Sequence, residues 1–276
     1  MKWRGRRGSG NIEDRRGIPM RGGLVGGGVG TIVILLVALA LGVDPSALLD
    51  GGGGAVAPAT ERGPVGAPDD AIGGFVAVVL ADTEDTWTRI FAERGEDYPE
   101  PTLVLFDDAV SSACGTAGAA VGPFYCPRDR RVYLDLGFFR ELGERFRAPG
   151  DFAQAYVVAH EVGHHVQNVT GVMEGFRGYE ETGADSRAVR VELQADCYAG
   201  IWAHDSRELG YVEPGDLREA LAAAAAIGDD NIQRQTQGVV VPESFTHGTS
   251  EQRAAWFQRG YEAGDPAACD TFSGPI

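Results

Sequence analysis

The stretch His160-Glu161-Val162-Gly163-His164 limits the possible folds of this chain more than any other feature of its sequence. Residues four apart on an α-helix lie on the same face, so His160 and His164 can each direct an imidazole nitrogen at one metal ion. This is the HExxH pattern, in which one helical turn supplies two zinc ligands. The fold must therefore have a helix here and must bring a further ligand to its face.

The residues around this pattern also favour a helix. Apolar side chains recur over residues 152–166, with start signals at residues 149–151 and a stop signal at Gly171. Gly163 would weaken a helix by about 1 kcal/mol relative to alanine, so we expect a close packing contact there. Two structural histidines in a helical core are the alternative, but by composition a chance HExxH is expected in roughly one such chain in a hundred or fewer.

Glu161 is the predicted general base. It lies at the edge of the same helical face, where its carboxylate can contact a water molecule on the metal without binding the metal itself. Zinc lowers the pKa of such a water towards ~7, so Glu161 can take its proton and later return it to the leaving amine. The sequence thus predicts hydrolysis of a peptide bond by a zinc-activated water.

A catalytic zinc site needs a third protein ligand and keeps one open position. The metzincin extension is excluded, because residues 165–168 do not continue the HExxHxxGxxH pattern. Glu192, on a helix predicted over residues 185–204, can complete a set of two histidines and one glutamate. Asp196, one turn later, can accept a hydrogen bond from the far nitrogen of a ligand histidine.

Other polar residues have more than one interpretation. Glu180 and Glu181 are rival third ligands, although neither has a partner at helical spacing. His247 precedes a helix predicted over residues 250–263, where Thr249 or Ser250 can cap it. It is either a structural histidine of a capping loop or a catalytic residue. In the catalytic interpretation, His247 or Arg253 stabilises the tetrahedral oxyanion or holds the substrate backbone.

Six segments together resemble one protein family. They are Cys114-Gly115, Gly122-Pro123-Phe124-Tyr125-Cys126-Pro127, Val132-Tyr133-Leu134-Asp135 and residues 155–168, 192–197 and 246–253. The order and the amino-acid sequences of these segments resemble those of the bacterial neutral zinc metallopeptidases, a group with an N-terminal membrane anchor. The resemblance covers roughly residues 73–272. The resemblance implies a zincin-like domain with His160, His164 and Glu192 on one Zn²⁺ per chain and Glu161 as a catalytic residue. The spacing of His247 and Arg253 is also similar to that in HtpX-like and CAAX-protease metallopeptidases.

The N-terminal region predicts a membrane anchor. Residues 24–43 carry no charge and, as a helix, are long enough for a ~30 Å hydrocarbon core. Seven basic and two acidic residues precede them, so the positive-inside rule predicts residues 1–23 in the cytoplasm and the domain outside. A cleaved signal peptide is the alternative, because Ala38-Leu39-Ala40 resembles a cleavage site.

The remaining chain divides into a linker and one domain. Residues 44–71 are rich in glycine and proline and predict a flexible linker. Residues 72–276 predict an α+β, mainly helical domain with a small β-sheet. Its predicted strands are residues 102–106 and 131–135, and its further helices are residues 72–96, 138–146 and 213–227.

Four cysteines fall on the predicted outer side, where disulfides persist. Of the three possible connectivities, we expect Cys114 to pair with Cys126 and Cys197 with Cys269. A zinc site made of cysteines is less favoured, because the chain has no CxxC pattern.

These observations predict a single-pass, membrane-anchored zinc endopeptidase at the cell membrane that acts on a peptide or protein substrate. The formal net charge of −16 argues against nucleic acid or an anionic membrane surface as a partner. Two alternatives remain. One is an inactive zinc-binding interaction protein of the cell envelope, which would not need Glu161. The other is a metal-dependent amidase on cell-wall peptides, which would use the same chemistry.

Overall fold

The helices begin and end close to where the apolar pattern predicts them. The computed structural model describes residues 1–18, 62–118, 121–176 and 181–276. The helices in these ranges are α1 (Ala71–Glu93), α2 (Gly137–Glu144), α3 (Asp151–Val169), α4 (Arg187–Glu208), α5 (Asp216–Ala226), α6 (Asp229–Thr236) and α7 (Ser250–Ala263). Only α6 was not predicted, since it buries none of its side chains and so has no apolar face in its sequence.

Side-chain caps fix the starts of several helices. Asp70 accepts a hydrogen bond from the backbone N–H of Gly73 at the start of α1. Thr249 and Gln252 form a reciprocal capping box at the start of α7, which settles the predicted choice of cap in favour of Thr249. These contacts satisfy backbone N–H groups that have no partner within the helix.

The strands form one small mixed sheet and one hairpin. The strands of the sheet are β1 (Ile12–Asp14), β2 (Thr102–Phe106), β5 (Phe124–Cys126) and β6 (Arg131–Asp135), in the order β1-β2-β6-β5. β2 is parallel to both β1 and β6, whereas β5 is antiparallel to β6. β3 (Ala109–Ser112) and β4 (Gly115–Gly118) form a separate antiparallel pair. With the helices, these strands confirm the mainly helical α+β class.

Both disulfides join the residues that the sequence predicts. Cys114 and Cys126 connect the end of the β3–β4 hairpin to β5, and Cys197 of α4 is joined to Cys269 near the C-terminus. The second bond links α4 to a segment 72 residues away in sequence, which restricts the conformations of the unfolded chain.

The N-terminal segment (Met1–Gly17) belongs to the same compact unit as Arg62–Ile276. Its strand β1 pairs with β2, and Ile12 is fully buried opposite Leu103. This differs from the predicted division of the chain, in which residues 1–23 formed a separate cytoplasmic segment and the domain began at residue 72.

Ion pairs with the rest of the unit explain why this basic segment folds onto it. The chain as a whole is strongly acidic, so the arginines of the segment find carboxylate partners. The N-terminal ammonium group also lies 2.6 Å from Oδ1 of Asp151, in the first turn of α3. The side-chain pairs include Arg6–Asp82, Arg7–Asp85 and Arg16–Asp70 to α1 and its cap, and Arg131–Glu13 across the sheet.

The predicted transmembrane helix over residues 24–43 lies outside the described residues, as does most of the predicted linker. Within the described ranges, none of the helices combines the length and apolar character needed to cross a lipid bilayer.

Candidate metal centre

The two helices that carry the predicted ligands cross in direct contact. A Cβ atom at Gly163 of α3 would lie 3.0 Å from the carbonyl oxygen and 3.1 Å from the Cα atom of Ala195 on α4. These distances leave little room for a side chain, which explains the glycine within a helix and confirms the predicted close contact. The backbones therefore approach closely enough for both histidines to meet a side chain from α4.

Three ligand atoms meet at this crossing. His160, His164 and Glu192 each offer one such atom, and the three atoms lie within 4.8 Å of one another. Nε2 of His160 is 3.2 Å from Oε2 of Glu192, and Nε2 of His164 is 3.5 Å from Oε1 of the same carboxylate. All three residues are buried. The structure thus brings together the histidines and the glutamate that the sequence predicts as ligands.

The spacing of these atoms fits a zinc ion. Zinc binds histidine nitrogen and carboxylate oxygen at about 2.0–2.2 Å in a tetrahedral arrangement, so two of its ligand atoms lie roughly 3.3–3.5 Å apart. The nitrogen-to-oxygen distances of 3.2 and 3.5 Å at this centre have that size. Two imidazoles and one carboxylate also leave a fourth position for water or substrate, as in catalytic zinc sites.

Each ligand histidine has a partner for its other ring nitrogen. Nδ1 of His160 lies 2.8 Å from Oδ1 of Asp196, the contact that the sequence predicts. Nδ1 of His164 lies 2.8 Å from Oε1 of Gln167, whose amide donates to the carbonyl oxygen of Val191 at 2.7 Å. Such contacts fix the ring orientations. Gln167 was not among the predicted site residues, although its position three residues after the second histidine is a signal that indicates such a contact.

The buried charges of the centre compensate one another. Burial alone would lower the pKa of His160, but Asp196 and then Glu192 raise this pKa to about 10. Burial alone would raise the pKa of Glu192, and the surrounding histidines hold it well below its usual range. A protonated imidazole must release its proton before it can bind a metal ion. Metal binding at this centre is therefore coupled to proton release.

Glu161 lies on α3 between the two histidines but outside the group of ligand atoms. Its side chain is buried, and burial raises the pKa of its carboxyl group, although the charges of His164 and His160 oppose this rise. A carboxylate with a raised pKa accepts a proton more readily at neutral pH. This property suits a residue that takes and returns a proton.

His247 lies in the loop before α7 and is oriented by Asp229 at the start of α6. Oδ2 of Asp229 accepts hydrogen bonds from the backbone N–H groups of Thr246, His247 and Gly248, at 2.7, 2.7 and 3.1 Å. Its other oxygen lies 3.3 Å from Nδ1 of His247. Burial lowers the pKa of His247, but the charge of Glu192 and the contact with Asp229 raise it overall. The imidazole is thus held in one orientation, and the charge of Glu192 acts on it. Its side chain is still 39% exposed.

Arg253 and Glu181 are placed apart from the ligand atoms. Arg253 of α7 is 2% exposed, and its Nε atom lies 2.8 Å from Oδ2 of Asp196. This contact within the protein differs from the predicted contact with substrate. Glu181 is exposed and does not belong to the ligand group, and Glu180 lies outside the described residues.

The fold and the site define a class of protein. Two histidines four apart on one helix, a glutamate between them and a second glutamate from an adjoining helix form the arrangement of HExxH metal centres. A family model described as "Putative neutral zinc metallopeptidase" matches residues 1–272. The chain belongs to this family, and the match includes the N-terminal segment.

Individual bacterial proteins are also similar to this chain over much of its length. The chain is 45% identical over 289 aligned positions to "Uncharacterized protein YpfJ" of Escherichia coli (strain K12), with all of both chains covered. It is 46% identical over 210 positions to "Uncharacterized protein Rv2575" of Mycobacterium tuberculosis (strain H37Rv), covering 72% of this chain and 71% of that protein. No solved structure gives a significant match. The names of these two relatives state neither an activity nor a substrate.

Proposed function

We propose that this protein is a zinc-dependent endopeptidase in which His160, His164 and Glu192 hold the metal and Glu161 is the general base. The observation that carries the proposal is the grouping of these three ligand atoms around one point, with nitrogen-to-oxygen distances of 3.2 and 3.5 Å. Glu161 adds the group that hydrolysis needs, since a site that only binds metal has no use for a base between its ligands.

Each residue has a defined part in the proposed reaction. When bound, zinc supplies Lewis acidity that polarises the peptide carbonyl and lowers the pKa of water. Glu161 accepts a proton from the attacking water and donates it to the nitrogen of the leaving amine as the carbon–nitrogen bond breaks. Asp196 and Gln167 keep the two imidazoles in position, because each accepts a hydrogen bond from the ring nitrogen that faces away from the ligand centre.

His247 is the proposed donor to the oxyanion. The hydrogen bonds of its backbone and ring to Asp229 hold it in one orientation. Its imidazole is partly exposed, so a substrate can reach it, and its raised pKa favours the protonated form that donates a hydrogen bond. A donor fixed before the reaction stabilises developing negative charge without the cost of reorganising solvent.

The test compares the purified full chain with its Glu161→Gln variant. We expect about one zinc per chain in both proteins by elemental analysis, since Glu161 does not bind the metal. Hydrolysis of fluorescently labelled casein should fall by about 10²–10⁴-fold in the variant, because the amide cannot take a proton. Equal rates of hydrolysis by the two proteins would show that Glu161 is not the general base. Cleavage of purified cell-wall peptides, with casein left intact, would favour the amidase alternative.

The location is a separate proposal. We propose that the domain lies outside the cytoplasm, which its two disulfides support because such bonds persist in oxidising compartments. The predicted single-pass topology needs the N-terminal segment and the domain on opposite sides of a membrane. Because Met1–Gly17 and Arg62–Ile276 pack in one compact unit, we propose instead that both lie on the outer side. Membrane attachment through residues 24–43 stays a prediction, but a single crossing of the membrane by these residues is incompatible with this proposal.

Lys2 offers a direct test of this location. It is the only lysine in the sequence, and its side chain is exposed. A membrane-impermeant amine reagent applied to intact spheroplasts should label Lys2 in the full chain, and the Lys2→Arg variant gives the background from the α-amino group. Labelling only after the membrane is permeabilised would place the N-terminal segment inside and contradict the proposal.

A further inference from the structure

The Nδ1 atom of His160, which faces away from the ligand centre, contacts a buried cluster of side chains from three helices. Asp196 of α4 is 0% exposed, and its Oδ1 atom lies 2.8 Å from Nδ1 of His160 on α3. The hydroxyl of Tyr156, one turn before His160, donates to the same oxygen at 2.5 Å. Arg253 of α7 completes the cluster. A carboxylate this deeply buried is costly unless its charge is paired and its oxygens accept hydrogen bonds.

Arg253 holds this carboxylate through both of its oxygens. Its Nε atom lies 2.8 Å from Oδ2 of Asp196, and its Nη2 atom lies 3.0 Å from Oδ1. The same Nη2 donates to the hydroxyl of Tyr156 at 3.2 Å. A planar guanidinium that contacts both oxygens fixes the plane of the carboxylate as well as its position, which a single hydrogen bond cannot do.

The geometry points to Arg253 as a positioning residue of the metal centre. With Tyr156, it holds Asp196 where the carboxylate accepts the Nδ1–H of His160, so that Nε2 of His160 faces the ligand centre. Through this contact α7 determines the orientation of a ligand on α3. The inference rests on the proposed metal site, but the orientation of His160 by Asp196 exists in the metal-free protein and can be measured there.

A purely structural role is the competing explanation. An ion pair between Asp196 and Arg253 joins α4 to α7 and contributes to the fold whether or not the imidazole depends on it. Loss of stability after a substitution therefore cannot separate the two roles. The Zn²⁺ affinity and the NMR signal of the Nδ1–H of His160 can separate the two roles. Only a positioning role changes these quantities in a protein that remains folded.

The experiment uses Arg253→Met and Arg253→Lys in the full chain, with Arg131→Met as the matched control. Arg131 also pairs with a buried carboxylate, Glu13, at 2.7 Å, but in the sheet. Two quantities are measured in each folded variant. One is the Zn²⁺ affinity in competition with a chelator, and the other is the imidazole Nδ1–H resonance of His160 in the metal-free protein.

We expect Arg253→Met to weaken Zn²⁺ binding by about 10–100-fold, the usual effect of losing a residue that supports a ligand. The Nδ1–H resonance of His160 should broaden or disappear, because its acceptor is no longer fixed. Arg253→Lys should give a smaller loss, since an ammonium group is a compact donor without the planar fork of a guanidinium. Arg131→Met should change neither quantity.

Unchanged Zn²⁺ affinity and an unchanged His160 resonance in folded Arg253→Met would overturn the inference and leave a structural ion pair. If Arg253→Met does not fold, the same two measurements on Arg253→Lys and Tyr156→Phe test the inference, because each of these variants keeps most of the buried volume. If the wild type binds no Zn²⁺, the proposed function fails. The positioning role is then judged by the resonance alone, and it is supported only if that signal is present in the wild type and lost in Arg253→Lys.

Discussion

The candidate metal centre on α3 and α4 and the N-terminal segment (Met1–Gly17) are formed by different kinds of contact. At the metal centre, the histidines are four residues apart on one helix, and Glu192 and Asp196 are four apart on another. The N-terminal segment is held by β1, which pairs with β2, and by ion pairs to carboxylates far along the chain. A repeated short spacing can be recognised in a sequence, whereas pairing between distant residues leaves no such pattern.

The charges of the N-terminal segment show why this difference matters. Basic residues before an apolar stretch predict a cytoplasmic flank when they remain in water beside the membrane. Here Arg6 pairs with the buried Asp82, and Arg16 pairs with Asp70 at the start of α1. The same sequence feature therefore suits both a cytoplasmic flank and a segment packed on the domain, and the sequence alone does not distinguish them.

The largest effect is expected at the metal centre, from Glu192→Ala. Removal of a ligand should weaken Zn²⁺ binding by more than the ~10–100-fold typical of losing a supporting residue. Chelator competition with Zn²⁺ measures the affinity. Glu181→Ala is the matched control, because Glu181 was the rival third ligand but is exposed and outside the ligand group. Equal affinity in the Glu192 variant and the wild type would show that the third ligand comes from another residue.

Much of this centre was predictable, because local spacing carries most of it. The sequence identified His160, His164 and Glu192, and the structure groups their ligand atoms. It also predicted strands β2 and β6, the close contact at Gly163 and both disulfide pairs. Each of these features is encoded by a periodic apolar pattern, by a spacing of four residues, by a glycine inside a helix or by a small number of possible pairings.

The remaining features depend on packing between distant elements. Arg253 could be assigned to α7 from its sequence, but that assignment did not reveal that α7 packs behind His160 and Asp196. Helix α6 has no apolar face, so nothing in its pattern predicted that Asp229 would hold the loop of His247. β1 has three residues, two of them acidic, and resembles a solvent-exposed stretch until its partner strand is known.

The next largest effect is expected in the N-terminal segment, from Ile12→Ala. Ile12 is fully buried in β1, so the substitution removes buried methylene and methyl groups and leaves a cavity. We expect a loss of about 2–5 kcal/mol in the free energy of unfolding, measured with urea, and no change in the Zn²⁺ affinity of the folded protein. Val65→Ala is the control, because Val65 forms an isolated β-bridge with Glu13 through its backbone while its side chain is 75% exposed, so the substitution should change stability by less than about 0.5 kcal/mol. Equal stability of the two variants would mean that the segment is not packed in solution.

The smallest effect is expected where the N-terminal segment meets the cap of α1, from Asp70→Asn. Oδ2 of Asp70 accepts a hydrogen bond from Arg16 at 2.6 Å, and Oδ1 accepts one from the backbone N–H of Gly73 at 2.9 Å. Asparagine is also a good N-cap, so the variant loses mainly the ion pair. Asp70 is about half exposed, and we expect a loss of at most about 1 kcal/mol in the free energy of unfolding at neutral pH.

The pH dependence of this small difference tests its cause. Arg16, and then the N–H of Gly73, lower the pKa of Asp70 from its usual 3.8 to about 2. The unfolded chain therefore takes up the proton first, so the contribution of Asp70 is complete above about pH 4 and is lost as the pH falls through 2. Urea unfolding at pH 7, 4 and 3 should show the wild type and Asp70→Asn converging at the acidic end. Asp69→Asn, which removes a neighbouring exposed charge, should follow the wild type throughout. A gap that widens on acidification would show that the ion pair with Arg16 does not stabilise the docked segment.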